Sequence, residues 1–324
     1  MAKIIYDTQI TDLVQMLSDD HVVYAPVEND MRSFSGQFKF KAYEKGDKIV
    51  LRYPLTVLPP TEFLLPPKDI LFSYIGEKII EPTAEKQVIF GLSLEDLEGI
   101  DRLGKVFERP SEDKVFLRRL EKSTLIAIDK FSAPTDIPYD LYLQEIEEGV
   151  FMALAGSKKG KKILDKSPFK DHLKNPPKVL PKKDSLLFDP NLSRAIKKSK
   201  NHPIWDELSQ ICFGCGICTY VCPLCYCYDV SDNIDFGEDS GERCRSWDSC
   251  MLKSFADTTH HNFRPELKNR IYNWYFHKFV RMPKEYGFSG CIDCNRCVIY
   301  CPAKINYRKT LKTILDDYKK KEKK

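Results

Sequence analysis

The chain has 324 residues, 42% of them apolar and 30% charged, with a formal net charge of +4. That length suits two domains of ordinary size, the charge is too small to point to nucleic acid, and apolar runs such as VFMALA at 150–155 are too short to span a bilayer. All twelve cysteines lie between Cys212 and Cys301, which excludes a disulfide framework spread over the fold.

The N-terminal stretch MAKIIYDTQITDLVQML has no uninterrupted apolar core, so no signal peptide is expected and a reducing cytoplasm is the expected location. Residues 1–156 read as a mixed α/β domain. Within it, ITDLVQMLSDD places Ile10, Leu13, Val14 and Leu17 at helical spacing. HVVYAPV, GQFKFKAY and DKIVLRYPL read as strands, with alternation clearest at Phe38, Phe40 and Ala42. KQVIFGL is a short buried strand, LEDLEGIDRLGKVF the helix after it, and STLIAIDKF a further apolar strand. Lysine and proline dominate residues 157–184, which read as a basic linker holding one helical turn. Residues 185–310 hold every cysteine. The segment 311–324 reads as a short helix fraying into a solvated basic tail.

One internal repeat carries the chemistry. CFGCGICTYVCP at 212–223 matches CIDCNRCVIYCP at 291–302, and both follow the spacing C-x2-C-x2-C-x3-C-P. Three thiolates two residues apart let one tight loop wrap three corners of an iron–sulfur cube. The fourth cysteine, before proline, points away and ligates the cluster of the other repeat, as in bacterial ferredoxins. The rule predicts two [4Fe–4S] clusters. Cys212, Cys215, Cys218 and Cys301 would hold one; Cys291, Cys294, Cys297 and Cys222 would hold the other. Gly214 and Gly216 suit a loop that turns tightly and aims amides at sulfur. Zinc is the weaker rival, because it takes four ligands from two separated C-x2-C pairs and would leave a thiolate over in each run. The expected fold class is α+β, the N-terminal domain being followed by an expanded two-cluster ferredoxin-like domain.

Between the runs, residues 224–290 form an insertion expected to fold back over the clusters. It carries four further thiols, Cys225, Cys227, Cys244 and Cys250. They read either as small buried packing groups or as a third metal site completed by His260 or His261. Tyr272, Trp274, Tyr275, Phe276 and Phe279 read as core. Arg243, Arg245 and Arg264 face the clusters, a partner or ordinary surface ion pairs.

The ordered motifs CPLCYCYDV at 222–230, RSWDSC at 245–250 and HNFR at 261–264, followed by the second cysteine run, resemble the iron–sulfur β subunit of cytoplasmic [NiFe] hydrogenases and sulfhydrogenases. The related iron–sulfur subunit of anaerobic sulfite reductases is similar. Fainter likeness runs through TEFLLPPKDILF, VIFGLSLEDLEGIDRLGKVF and YDLYLQEIEEGVFMALAGSKKGKKIL. The chain departs from the family at Ser93–Leu97, where R-P-C-D-L is common, and in DKFSAPTDIPYDL, where a C-F-C stretch is common. The resemblance implies a non-catalytic electron-transfer subunit of an anaerobic oxidoreductase. It would sit in a hetero-oligomer between a flavin subunit handling NAD(P)H and the small subunit of a [NiFe] hydrogenase. The alternatives are an electron-transfer subunit of a sulfite or other multi-subunit reductase and, from a different class, a metal-containing nucleic-acid-binding protein. No glycine-rich dinucleotide or phosphate loop and no H-E-x-x-H is present.

Overall fold

The computed structural model describes residues 2–29, 37–166, 168–172, 177–181 and 186–322. In chain order the strands are β1 (Ala2–Tyr6), β2 (Val22–Glu28), β3 (Phe38–Ala42), β4 (Lys68–Ile75), β5 (Lys78–Ile80), β6 (Gln87–Leu92), β7 (Ser123–Asp129), β8 (Leu141–Glu147), β9 (Val150–Ala155), β10 (Lys170–His172), β11 (Tyr228–Asp235) and β12 (Ser240–Trp247). The helices are α1 (Ile10–Ser18), α2 (Leu94–Phe107), α3 (Lys114–Lys122), α4 (Lys158–Leu164), α5 (Leu192–Lys198), α6 (Ile204–Ile211), α7 (Ile217–Tyr220), α8 (Leu267–Phe276), α9 (Met282–Tyr286), α10 (Arg296–Ile299) and α11 (Tyr307–Glu322). This mixture is an α+β fold. The chain divides into two compact units, Met1–Leu65 with Pro82–Lys182, and Pro66–Glu81 with Lys183–Lys324.

The first unit is built on an eight-stranded sheet in the order β10-β1-β9-β8-β7-β6-β2-β3. Its centre, β2, β6, β7 and β8, is parallel, and the flanking pairs are antiparallel. Central parallel strands are covered on both faces, so they read as continuous apolar runs. Accordingly every residue of β6 is buried, as are the first six of β7. Helix α1 buries Ile10, Leu13, Val14 and Leu17, the stripe anticipated from their spacing. Helix α2 starts on a capping box: Asp96 N–H donates to Ser93 Oγ at 3.1 Å, and Ser93 N–H donates to Asp96 Oδ2 at 3.3 Å. Thus Ser93 and Asp96 start a helix here.

Two segments of this unit differ from the sequence reading. DKIVLRYPL is irregular: it touches β2 through an Ile49–Val27 bridge and a Val50 N–H to Pro26 O bond at 2.8 Å, and Pro54 cannot donate to a longer ladder. The stretch 157–184 opens with a packed helix rather than free linker. Ser157 Oγ caps α4 by accepting from Lys159 and Gly160 N–H, Ile163 is buried, and a Cβ on Gly160 would fall 1.7 Å from the Asp140 carbonyl. Further on, β10 pairs with β1. Residues 167, 173–176 and 182–185 of that stretch lie outside the described residues.

The second unit joins an antiparallel sheet, β11-β12-β4-β5, to a helical cluster. Residues 66–81, read from sequence with the N-terminal domain, form β4 and β5 of this sheet and pair with β12 from the insertion. Buried Asp69 and Arg245, register partners across β4 and β12, form an ion pair at 2.7 Å. Helices α5, α6, α8 and α11, with the π turn His277–Arg281 that follows α8, bury Ile196, Trp205, Trp274, Phe279, Leu311 and Ile314 in one core. The expected tail at 311–324 is therefore a helix through Glu322. Tyr307, Leu311, Ile314, Leu315 and Tyr318 recur at helical spacing and face inward, while the lysines lie outside.

Candidate metal centre

Both cysteine runs fold into the same backbone. Gly214 (φ 62°) and Gly216 (φ 78°) occupy left-handed positions in the first loop. Asp293 (φ 67°) and Asn295 (φ 63°) occupy the same two steps of the second. Asp and Asn are among the residues that tolerate this conformation. The turn aims an amide back at the first thiol of each loop: Gly214 N–H donates to Cys212 Sγ, and Asp293 N–H to Cys291 Sγ, both at 3.4 Å. A one-turn helix follows each loop, α7 and α10, and the two pack together. A Cβ on Gly216 would meet the Ser249 side chain at 2.9 Å, so the first loop needs glycine for space as well as conformation. Asp293 is held by the Tyr307 hydroxyl and the Arg308 guanidinium.

Cys212, Cys215, Cys218 and Cys301 line one apolar cavity of about 70 Å³, walled by Met251, Ile271, Trp274 and Tyr275 from the insertion; Cys297 also reaches it. Electrostatics separates the thiols in the same way. Cys218 feels Cys212, Cys215 and Cys301, whereas Cys297 feels Cys222, Cys291 and Cys294. Burial raises the pKa of Cys212, Cys218, Cys294 and Cys297, and pushes that of Cys291 up to about 12. Cys222 moves the opposite way. The Cys225 S–H donates to it, and the Lys278 ammonium stands 3.1 Å from its Sγ, so its pKa falls well below the ordinary thiol value.

Lys278 is 3% exposed and lies in a π turn, His277–Arg281, that continues α8. Its Nζ also donates to Gly290 O at 2.9 Å and lies 5.2 Å from the Trp274 ring centre. Burial pulls its pKa down, but Cys222, Cys225 and Cys291 outweigh that, and it stands well above the ordinary lysine value. Arg296, 1% exposed, donates to Cys294. Sequence reasoning singles out neither cation. The available signals were a lysine inside the aromatic run NWYFHKF and an arginine between two ligand cysteines.

Of the remaining candidates, Cys225 feels both Cys222 and Cys227, and Cys250 feels Cys227 and Cys218. Cys225 pairs with Cys222, and the Cys250 S–H donates to Cys227. Cys244 is buried in β12, beside the Asn233 side-chain amide at 3.4 Å. His260 and His261 are exposed, and His261 packs edge-on against Phe263. Arg243 pairs with Asp232 on the surface, and Arg245 with Asp69, so the latter arginine is committed to the sheet. Trp274, Tyr275 and Phe279 are buried as anticipated, with Tyr272 and Phe276 packed against them.

A soft, thiol-only donor set, amides aimed at sulfur and an apolar wall fit iron–sulfur clusters. Comparison with known proteins agrees. Residues 211–305 match the family described as a 4Fe–4S dicluster domain. The cysteine-rich part of this chain is an iron–sulfur domain. The chain is similar to sulfhydrogenase 2 subunit beta of Pyrococcus furiosus, 29% identical in an alignment of 317 positions that covers 89% of this chain and 91% of the other. The likeness to hydrogenase β subunits therefore extends through the N-terminal unit. No solved structure matches the chain. Among the described residues, no helix is long and apolar enough to cross a membrane.

Proposed function

We propose that this chain relays electrons through two [4Fe–4S] clusters in a cytoplasmic, multi-subunit oxidoreductase. It would connect a flavin subunit handling NAD(P)H to the small subunit of a [NiFe] hydrogenase module. Cys212, Cys215, Cys218 and Cys301 hold one cluster; Cys291, Cys294, Cys297 and Cys222 hold the other. The observation that supports this reading most is the repeat of the same two left-handed steps in both cysteine loops, with Cys218 neighbouring Cys212, Cys215 and Cys301 and Cys297 neighbouring Cys222, Cys291 and Cys294. The clusters, when bound, supply one-electron chemistry. The protein's share is to hold and desolvate them: amides of Gly214 and Asp293 donate to sulfur, and Trp274 and Tyr275 keep water out. Folding with metal releases the protons that burial keeps on the thiols.

Iron and acid-labile sulfide, measured per chain after anaerobic purification, test the reading. About eight of each is the expected result; about twelve would add a third cluster at Cys225, Cys227 and Cys250, and zinc without sulfide would overturn it. Cys218→Ser is expected to empty the site shared with Cys301 and spare the other, whereas equal loss of both would refute the ligand pairing. Co-purification identifies the complex. A flavoprotein with [NiFe] subunits supports the proposal, and a sirohaem protein would move the chain to a sulfite reductase.

A further inference from the structure

Among the described residues, Lys278 and Arg296 are cations hydrogen-bonded to sulfur, each to a thiol of the same group. Lys278 Nζ donates to Cys222, and Arg296 donates to Cys294. In the other group, Cys212, Cys215, Cys218 and Cys301, Cys218 feels Lys278 only through space, and Cys212 feels the guanidinium of Arg270. That guanidinium is spent on three backbone carbonyls, those of Met251, Arg264 and Pro265, and acts on Cys212 only through space. Asp293, in the second loop, is neutralised by Arg308. Cys215, in the cation-poor group, is the exposed member of the set.

We infer that the two cluster seats are electrostatically unequal, and that Lys278 and Arg296 make the seat of Cys222, Cys291, Cys294 and Cys297 the one that is reduced first. This rests on the two-cluster reading above. An added electron is a negative charge placed in a water-poor site. Cations buried beside it are screened little and favour the reduced form, as do N–H donors to sulfur. Burying an ammonium costs several kcal/mol of desolvation, and the fold is arranged to hold this one. The π turn presents Lys278, and Gly290 lies so close that a Cβ there would come 2.9 Å from Lys278 Cα. Turns of this type cluster at functional sites. Lys278 and Arg296 are therefore positioning residues for the electron, setting where it rests rather than touching a substrate.

The test is an anaerobic redox titration of the full chain with dithionite, followed by the electron paramagnetic resonance of each reduced cluster. Two separate potentials are expected in the wild type. Lys278→Met should lower the higher potential more than the lower one, and Lys278→Arg should restore it. Arg296→Met should lower the higher potential and leave the lower unchanged, which keeps the test open if Lys278→Met fails to load iron. Coincident wild-type potentials, equal shifts of both clusters, or a shift confined to the lower one would overturn the inference. Iron and sulfide content, read on the same samples, separates that outcome from failure of the two-cluster reading itself.

Discussion

Removing Asp69 should destabilise the cysteine-bearing unit, although Asp69 lies more than 140 residues before the first cysteine in sequence. Its carboxylate faces Arg245 Nη2 at 2.7 Å, and the two side chains are 5% and 1% exposed. Asp69→Ala leaves a guanidinium in a dry site with the Tyr228 ring, 5.4 Å away, as a remaining neighbour. Stranding one member of a buried pair costs about 3–5 kcal/mol, and a cation–π contact returns only about 1–2 kcal/mol. The net expectation is a loss of about 1–4 kcal/mol. Replacing both partners by apolar residues, Asp69→Leu with Arg245→Met, removes the stranded charge and should recover most of that loss. Anaerobic guanidinium titration read by tryptophan fluorescence isolates the right unit, because Trp205, Trp247 and Trp274, the chain's three tryptophans, all lie in it. A single-variant loss under about 1 kcal/mol, or a double variant no better than the sum of the singles, would refute the pairing of 66–81 with the insertion.

Two further predictions test the loops and the first unit. Gly216→Ala places a Cβ 2.9 Å from Ser249 at φ 78°, so the cluster of Cys212, Cys215 and Cys218 should be lost faster to an iron chelator; Asn295→Gly, which relieves a left-handed asparagine, should not speed loss from the other loop. An unchanged rate in Gly216→Ala would show that the loop does not need the observed turn. Burial raises Glu62 from its ordinary 4.5 to about 7. The folded unit then keeps a proton that the unfolded chain releases, so stability falls as pH rises through that window and stays low above it. The slope integrates to about 3 kcal/mol at most. Glu62→Gln should flatten the dependence and raise the melting temperature at alkaline pH, measured by circular dichroism; an unaltered pH profile would refute the assignment.

What the sequence disclosed depended on how local each signal is. The ligand runs were legible because cluster binding constrains residue type and spacing within a dozen positions, and proline marks the end of each run. Helix α1 was legible because its stripe repeats within one element. The pairing of β4 with β12 was not, since Asp69 and Arg245 are 176 positions apart and antiparallel register leaves no mark in either strand alone. Lysine content concealed the length and packing of α11, read only as a short helix before a basic tail; the informative residues are Leu311, Ile314 and Leu315 on the face the lysines avoid. Lys278 was concealed by the ordinary expectation that lysine is solvated.

The second loop exposes a subtler limit. Glycine reads as the sign of a tight ligand turn, yet Asp293 and Asn295 adopt the same left-handed dihedrals as Gly214 and Gly216. The constraint on a ligand loop is therefore φ, which several residues satisfy, and the choice among them is left free to carry something else. In the first loop the choice is glycine and isoleucine, which add no charge. In the second it is aspartate, asparagine and Arg296, which bring an ion pair with Arg308 and a cation against Cys294. On the proposed reading, a duplicated geometry filled with different charges would give two seats of similar shape and unequal affinity for an electron.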